Sequence, residues 1–134
     1  MFHQLYEIKL GHPADFRVKY RFYDQSEGGR KTIPSQGYRS DFWYHHKDQP
    51  NPNSIYIIWP EFENERGEVV TDLNEKISSA GTARMWIISP NMRKFHKDKI
   101  VVGLKGFFRE GPNSVAECEV IEIMALNSNP SNKE

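Results

Sequence analysis

The chain has 134 residues and a formal net charge of +0, with 18 basic and 18 acidic side chains. That length fits one domain around a single core, and electrical neutrality argues against broad non-specific binding to nucleic acid. No apolar run approaches the roughly 20 residues of a membrane span, and the amino terminus lacks the charged-then-apolar layout of a secretion signal. The lone Cys118 excludes an internal disulfide, so a reducing cytoplasm is the simplest setting.

Phe16, Val18, Tyr20 and Phe22 alternate with Arg17, Lys19, Arg21 and Tyr23, which predicts a half-buried strand, because a helix would scatter those apolar residues around its circumference. Residues 24–37 carry Gly28, Gly29, Pro34 and Gly37 and read as a loop. Residues 40–46 are aromatic and strand-like. Pro50, Asn51, Pro52 and Asn53 then punctuate the chain, and residues 55–59 form a short apolar strand closed by Pro60. Glu61, Glu63, Glu65 and Glu68 read as a solvated loop. Val69 and Val70 suggest a short strand, and Thr71 or Asp72 could cap a helical turn. Residues 82–88 predict another strand, stopped by Pro90. Arg93, Lys94, Lys97 and Lys99 mark a basic connection. Residues 100–108 form a strand weakened at Gly103 and Gly106. Beyond the turn at residues 110–113, residues 114–123 alternate again, although neither face is cleanly apolar. One domain over residues 1–126 and a polar, disordered tail over 127–134 are expected.

Several short strands with turns between them and no long helix predict an all-β sandwich or barrel. Composition and period do not choose between the two. The choice comes from the segment EGGRKTIPSQGYRSDFWY over residues 27–44, with FFREG and SV at residues 107–111 and 114–115. The spacing of Gly28-Gly29-Arg30, Gly37-Tyr38-Arg39 and Phe107 to Gly111 resembles the C-terminal β-barrel of elongation factor Tu. The resemblance spans residues 16–123 and implies a small six-stranded Greek-key β-barrel. It also implies partner-binding residues, namely Arg30, Lys31, Arg39, Asp41, Glu110 and Gly111, because in that family this loop and turn lie near the T-stem of aminoacyl-tRNA. Asp41 stands where the family has Gln, and an acid there would repel phosphate. Pro112 stands where the family has Gly and removes a backbone donor.

Each motif also has a structural reading. Paired glycines permit positive φ, and Arg30 and Arg39 can fork onto carboxylates or carbonyls to hold the loop. Arg17, Lys19 and Arg21 are the candidate basic face, or simply ordinary outward charges. His45 and His46 are adjacent on a strand and point to opposite faces, so no metal site is expected there. Cys118 reads as a small core residue, and Trp43, Trp59 and Trp86 read as core. No phosphate-binding GxxxxGK motif is present, so neither GTP binding nor any cofactor is expected. The leading expectation is a non-catalytic binding module that recognises a protein partner through its loops. The alternatives are an RNA- or tRNA-binding barrel, and an enzyme or small-molecule binder using the barrel mouth.

Overall fold

The computed structural model describes residues 1–46 and 55–131. The turn expected at Pro50 to Asn53, and the last three residues of the expected tail, lie outside them. The described chain is mostly β. Its elements are α1 (Tyr6–Leu10), β1 (Phe16–Phe22), β2 (Asp41–Tyr44), β3 (Ile58–Phe62), β4 (Ala80–Ile87), α2 (Pro90–His96), β5 (Lys105–Glu110) and β6 (Asn113–Ile123). All six strands join one antiparallel sheet in the order β2-β5-β6-β1-β4-β3. The sheet curls into a half-barrel. The edge strand β2 touches the segment leading into the other edge strand, β3, where Phe42 and Tyr56 exchange backbone hydrogen bonds of 2.9 and 2.8 Å.

The concave side is lined by aromatic rings. Phe16, Phe42, Phe62 and Phe108 are fully buried there, with Tyr20, Phe22 and Tyr44 packed among them. Ring pairs such as Tyr20–Phe62, 5.2 Å apart and near perpendicular, take the edge-to-face geometry that aromatic quadrupoles favour. In β1 the apolar residues do face this core and Lys19 and Arg21 do face outward, as the period of two predicts.

β6 shows why its own pattern looked mixed. Ala116, Cys118 and Val120 point inward opposite Phe108, Gly106 and Val18. The pairing slips at Arg17/Val18 on one side and at Phe108/Arg109 on the other. Each bulge adds a residue and reverses the parity beyond it. Val115 therefore reaches the core, and Ile123 packs against it, although both share a sequence register with the outward Glu117 and Glu119.

Four expectations about local structure are corrected. Pro60 does not close a strand. It lies inside β3, and the pairing of Glu63 with Thr82 and of Ile57 with Ile88 puts its missing N–H on the side away from β4, where no ladder bond is lost. The basic connection after Pro90 is the helix α2, with Pro90 at its first turn where proline is tolerated. The acidic cluster is not a solvated loop throughout. Glu65 and Glu68 are exposed, but Glu61 and Glu63 are buried. Finally, residues 127–131 are docked rather than loose: Asn129 is buried and donates to Pro13 O and Asp15 Oδ1, both at 2.9 Å.

The first fifteen residues form a cover. α1 lies over the convex side of β3 and β4, where Tyr6, Ala14 and Trp86 make a second small core against Leu10 and Trp59. Glu61 sits beneath it. It accepts from Tyr6 N at 2.9 Å and Trp86 Nε1 at 3.2 Å, and its Oε2 lies 2.6 Å from His3 Nε2. These three contacts satisfy a polar group that would be costly to bury alone. Asp15, just before β1, is fully buried against Arg93.

Candidate functional surface

The loop of residues 24–37 is built by its own side chains. Asp24 and Glu27 form a reciprocal capping box around a short 3₁₀ turn, Gln25–Glu27. Arg21 forks onto Glu27, and this contact, with the Asp24 backbone bond, pulls the Glu27 carboxyl down to about 2. Gly28 follows with φ of 89°. Gly29 has a different task. A Cβ there would stand 2.1 Å from Tyr23 O, so only glycine lets the loop close on the end of β1.

Arg30 then ties the loop to β5. Its Nε donates to Thr32 O at 3.1 Å, its guanidinium lies 5.1 Å from the Tyr38 ring centre, and it pairs with Glu110. Tyr38 OH donates to the same carboxylate oxygen. Partial burial alone would raise the Glu110 carboxyl, but Tyr38 and Arg30 outweigh it and hold it below the usual range. Arg30 and Glu110, both chosen as binding residues, are thus each other's partners. Arg39 goes elsewhere: its guanidinium lies 4.2 Å from the Trp59 ring centre on the convex side of β3. Lys31 is exposed. Gly111 is exposed with φ of 60° in the tight β5–β6 turn.

The stripe Arg17, Lys19 and Arg21 is outward, but it is matched by acids. Arg17 pairs with Glu63 at 2.7 Å and Glu122 at 2.9 Å, Lys19 with Glu119 at 3.7 Å, and Arg21 with Glu27 at 3.0 Å and Glu117 at 3.1 Å. Burial would raise the Glu63 carboxyl, yet bonds from Arg17, Arg84 and Thr82 prevail and lower it. A stripe neutralised in this way offers phosphate little net attraction.

Asp41 leads to a feature that sequence reasoning missed. It pairs in register with Arg109 of β5, and the Arg109 guanidinium lies 4.7 Å from the ring centre of Trp43. Trp43 also lies 5.6 Å from Phe107 and 6.2 Å from His45. Both Trp43 and Phe107 are half-buried on the convex face, and neither belongs to the core. Trp59 is likewise half-buried, and only Trp86 of the three tryptophans is fully enclosed. The signal was available: Asp41, Trp43 and His45 share a parity, and two of the three are polar. Parity should have overruled the habit of assigning tryptophan to the core.

Cys118 is the only thiol, and burial pushes it up, so it stays protonated and shielded at neutral pH. No protein-family model matches the chain, and no curated protein sequence matches it.

Proposed function

We propose that this chain is a non-catalytic binding module, a translation-factor-like Greek-key barrel in the cytoplasm, whose partner is a protein. One observation carries the reading: Trp43, Phe107 and Arg109 form a half-buried aromatic and guanidinium patch on the convex face, edged by Asp41 and His45. Protein interfaces are enriched in aromatic residues and Arg at their centres and polar at their rims, and a few such anchors carry most of the affinity. Arg30, Lys31, Glu110 and Gly111 lie in the loop and turn that the resemblance associates with binding, while Arg39 extends the surface toward Trp59.

An RNA partner is disfavoured by charge. Arg17, Lys19 and Arg21 spend their charge on glutamates, and Asp41 faces Arg109. The test compares the parent with Phe107→Ser and Arg109→Ala in affinity capture from native cell extract, alongside filter binding to aminoacyl-tRNA at about 0.15 M salt, where charges beyond roughly 8 Å are screened. A stoichiometric protein retained by the parent and lost by both variants, at unchanged melting temperature, is expected. Sub-micromolar tRNA binding that Asp41→Gln leaves unchanged would replace this reading with the RNA one.

A further inference from the structure

The chain has eight arginines. Six of them pair with carboxylates of the chain itself: Arg17 and Arg84 with Glu63, Arg21 with Glu27, Arg30 with Glu110, Arg66 with Glu68, and Arg93 with Asp15. Arg39 and Arg109 are the two left over. Among the described residues neither has a carboxylate partner; each instead lies over an indole. The Arg39 guanidinium is 4.2 Å from the Trp59 ring centre, and that of Arg109 is 4.7 Å from Trp43. We propose that the partner meets this convex face with an acidic peptide segment, whose carboxylates pair with Arg39 and Arg109. This deepens the docking reading above and rests on it.

The two stacks adjoin. Phe42, the neighbour of Trp43, exchanges backbone hydrogen bonds with Tyr56, three residues before Trp59. Both indoles are half-buried, Arg109 is half-buried and Arg39 is exposed. A guanidinium held flat on a ring keeps its N–H donors around its edge, ready to fork onto a carboxylate, and has less side-chain freedom left to lose. Of the five donors of Arg109, one is used within the chain, Nε to Ser114 Oγ at 3.3 Å.

A partner that covers Trp43 and Phe107 also strips water from Arg109. A guanidinium desolvated without acceptors is costly. The chain has one carboxylate at hand, Asp41, which stands across the strands from Arg109, yet no ion pair forms between them: the guanidinium is turned along β2 onto Trp43. The acceptors therefore have to come from the partner. A carboxylate suits the planar fork, with two parallel N–H···O bonds. Phosphate suits it too, but a nucleic acid carries its charges at every step and would press one against Asp41. A peptide can leave that position neutral.

The test uses two blocked five-residue peptides. One alternates glutamate and tyrosine, with glutamate at both ends; the other has glutamine in place of every glutamate. Each is titrated into the whole chain while the arginine Nε–H and tryptophan indole N–H signals are followed by NMR. Saturable shifts at Arg39, Arg109 and Trp43 are expected, with the acidic peptide bound about tenfold more tightly, the factor two partly exposed ion pairs provide. Arg39→Gln and Arg109→Gln should each reduce that preference about threefold, and Asp41→Asn should tighten the acidic peptide. Weaker binding by Asp41→Asn would mean that Asp41 itself serves Arg109 in the complex, and would overturn the proposal. Equal affinity for the two peptides, both shifting Trp43, would overturn the acidic segment and leave the docking reading standing. No saturable shift with either peptide would overturn the acidic segment too, while the docking reading would still be decided by capture with Phe107→Ser. An oligouridylate that shifts Arg39 and Arg109 at lower concentration than the acidic peptide would assign the arginines to phosphate and overturn both. The comparison of the two peptides on the parent decides the matter even if a variant fails to fold.

Discussion

Arg93→Ala tests what holds the sheet, α2 and the C-terminal segment together. Arg93 and Asp15 are 1% and 0% exposed. Arg93 Nε donates to Asp15 Oδ1 at 2.8 Å and Nη2 donates to Ile87 O at 2.7 Å, while Nη1 reaches Pro130 O. Asp15 also accepts from Ile87 N at 2.8 Å and from Asn129 at 2.9 Å. Removing the guanidinium strands a buried carboxylate and the buried carbonyl of Ile87, and releases Pro130 O. Breaking a buried pair from one side costs about 3–5 kcal/mol, and the two donors left to Asp15 favour the lower end, about 3 kcal/mol. A chain of this length unfolds with an entropy of about 0.28 kcal/mol/K, so the melting temperature should fall by roughly 11 °C. Urea unfolding followed by circular dichroism measures the loss. The double change Asp15→Asn with Arg93→Met should recover much of it, because neutral side chains of similar size carry no stranded charge. A loss below about 1 kcal/mol in the single variant, or a double variant as unstable as the sum of its parts, would refute the account.

Gly29→Ala should lower stability by about 1–3 kcal/mol in the same urea assay, since the new methyl group meets backbone oxygens that have no room to yield. Arg30→Ala should cost about 1–2 kcal/mol through its bonds to Glu110 and Thr32, whereas Arg39→Ala should cost only about 0.5–1 kcal/mol, the worth of an exposed cation–π contact. Equal melting temperatures for the two variants would remove the anchoring role from Arg30. The third expectation concerns acid. Burial keeps His96 neutral in the fold down to about 3, but it takes a proton below about 6.5 in the unfolded chain. Between those values the unfolded state binds the extra proton. Stability should therefore fall as pH drops through that window, by up to about 1.4 kcal/mol per pH unit, and His96→Phe should flatten that part of the profile in pH-dependent urea unfolding.

The strands were legible where one face is core and the other is water. β1 follows its period of two almost to the residue. β6 was only half legible, because two bulges reverse parity within it and a bulge leaves no mark in a short-range pattern. The segment from Glu61 to Gly81 was opaque for a different reason. Glu61 and Glu63 look solvated until residues far away in sequence, His3, Tyr6, Trp86, Arg17 and Arg84, converge on them. The cover made by the first fifteen residues is likewise a tertiary effect, since five helical residues have no local reason to be stable without the face they bury. At the candidate surface, Arg30 and Glu110 were found as residues but not as a pair. Phe107 and Arg109 belong to the FFREG stretch itself, yet the expected contacts were placed only on its Glu110 and Gly111.

That last point bears on what the motif means. Glu27 closes a capping box and receives Arg21, Gly28 takes a left-handed turn, and Gly29 allows a close approach. Arg30 and Tyr38 share the Glu110 carboxylate, and Gly37 turns the chain with φ of 96°. Each of these residues has a mechanical task inside the domain. A sequence under pressure only to fold this loop would keep them whether or not any ligand ever touched it. Residues free of such tasks are the better witnesses to binding: Lys31, which is exposed, and Asp41 with Trp43, Phe107 and Arg109, whose contacts leave an aromatic surface facing outward. The proposed binding is therefore to be tested at the patch on β2 and β5 rather than at the glycines and Arg30.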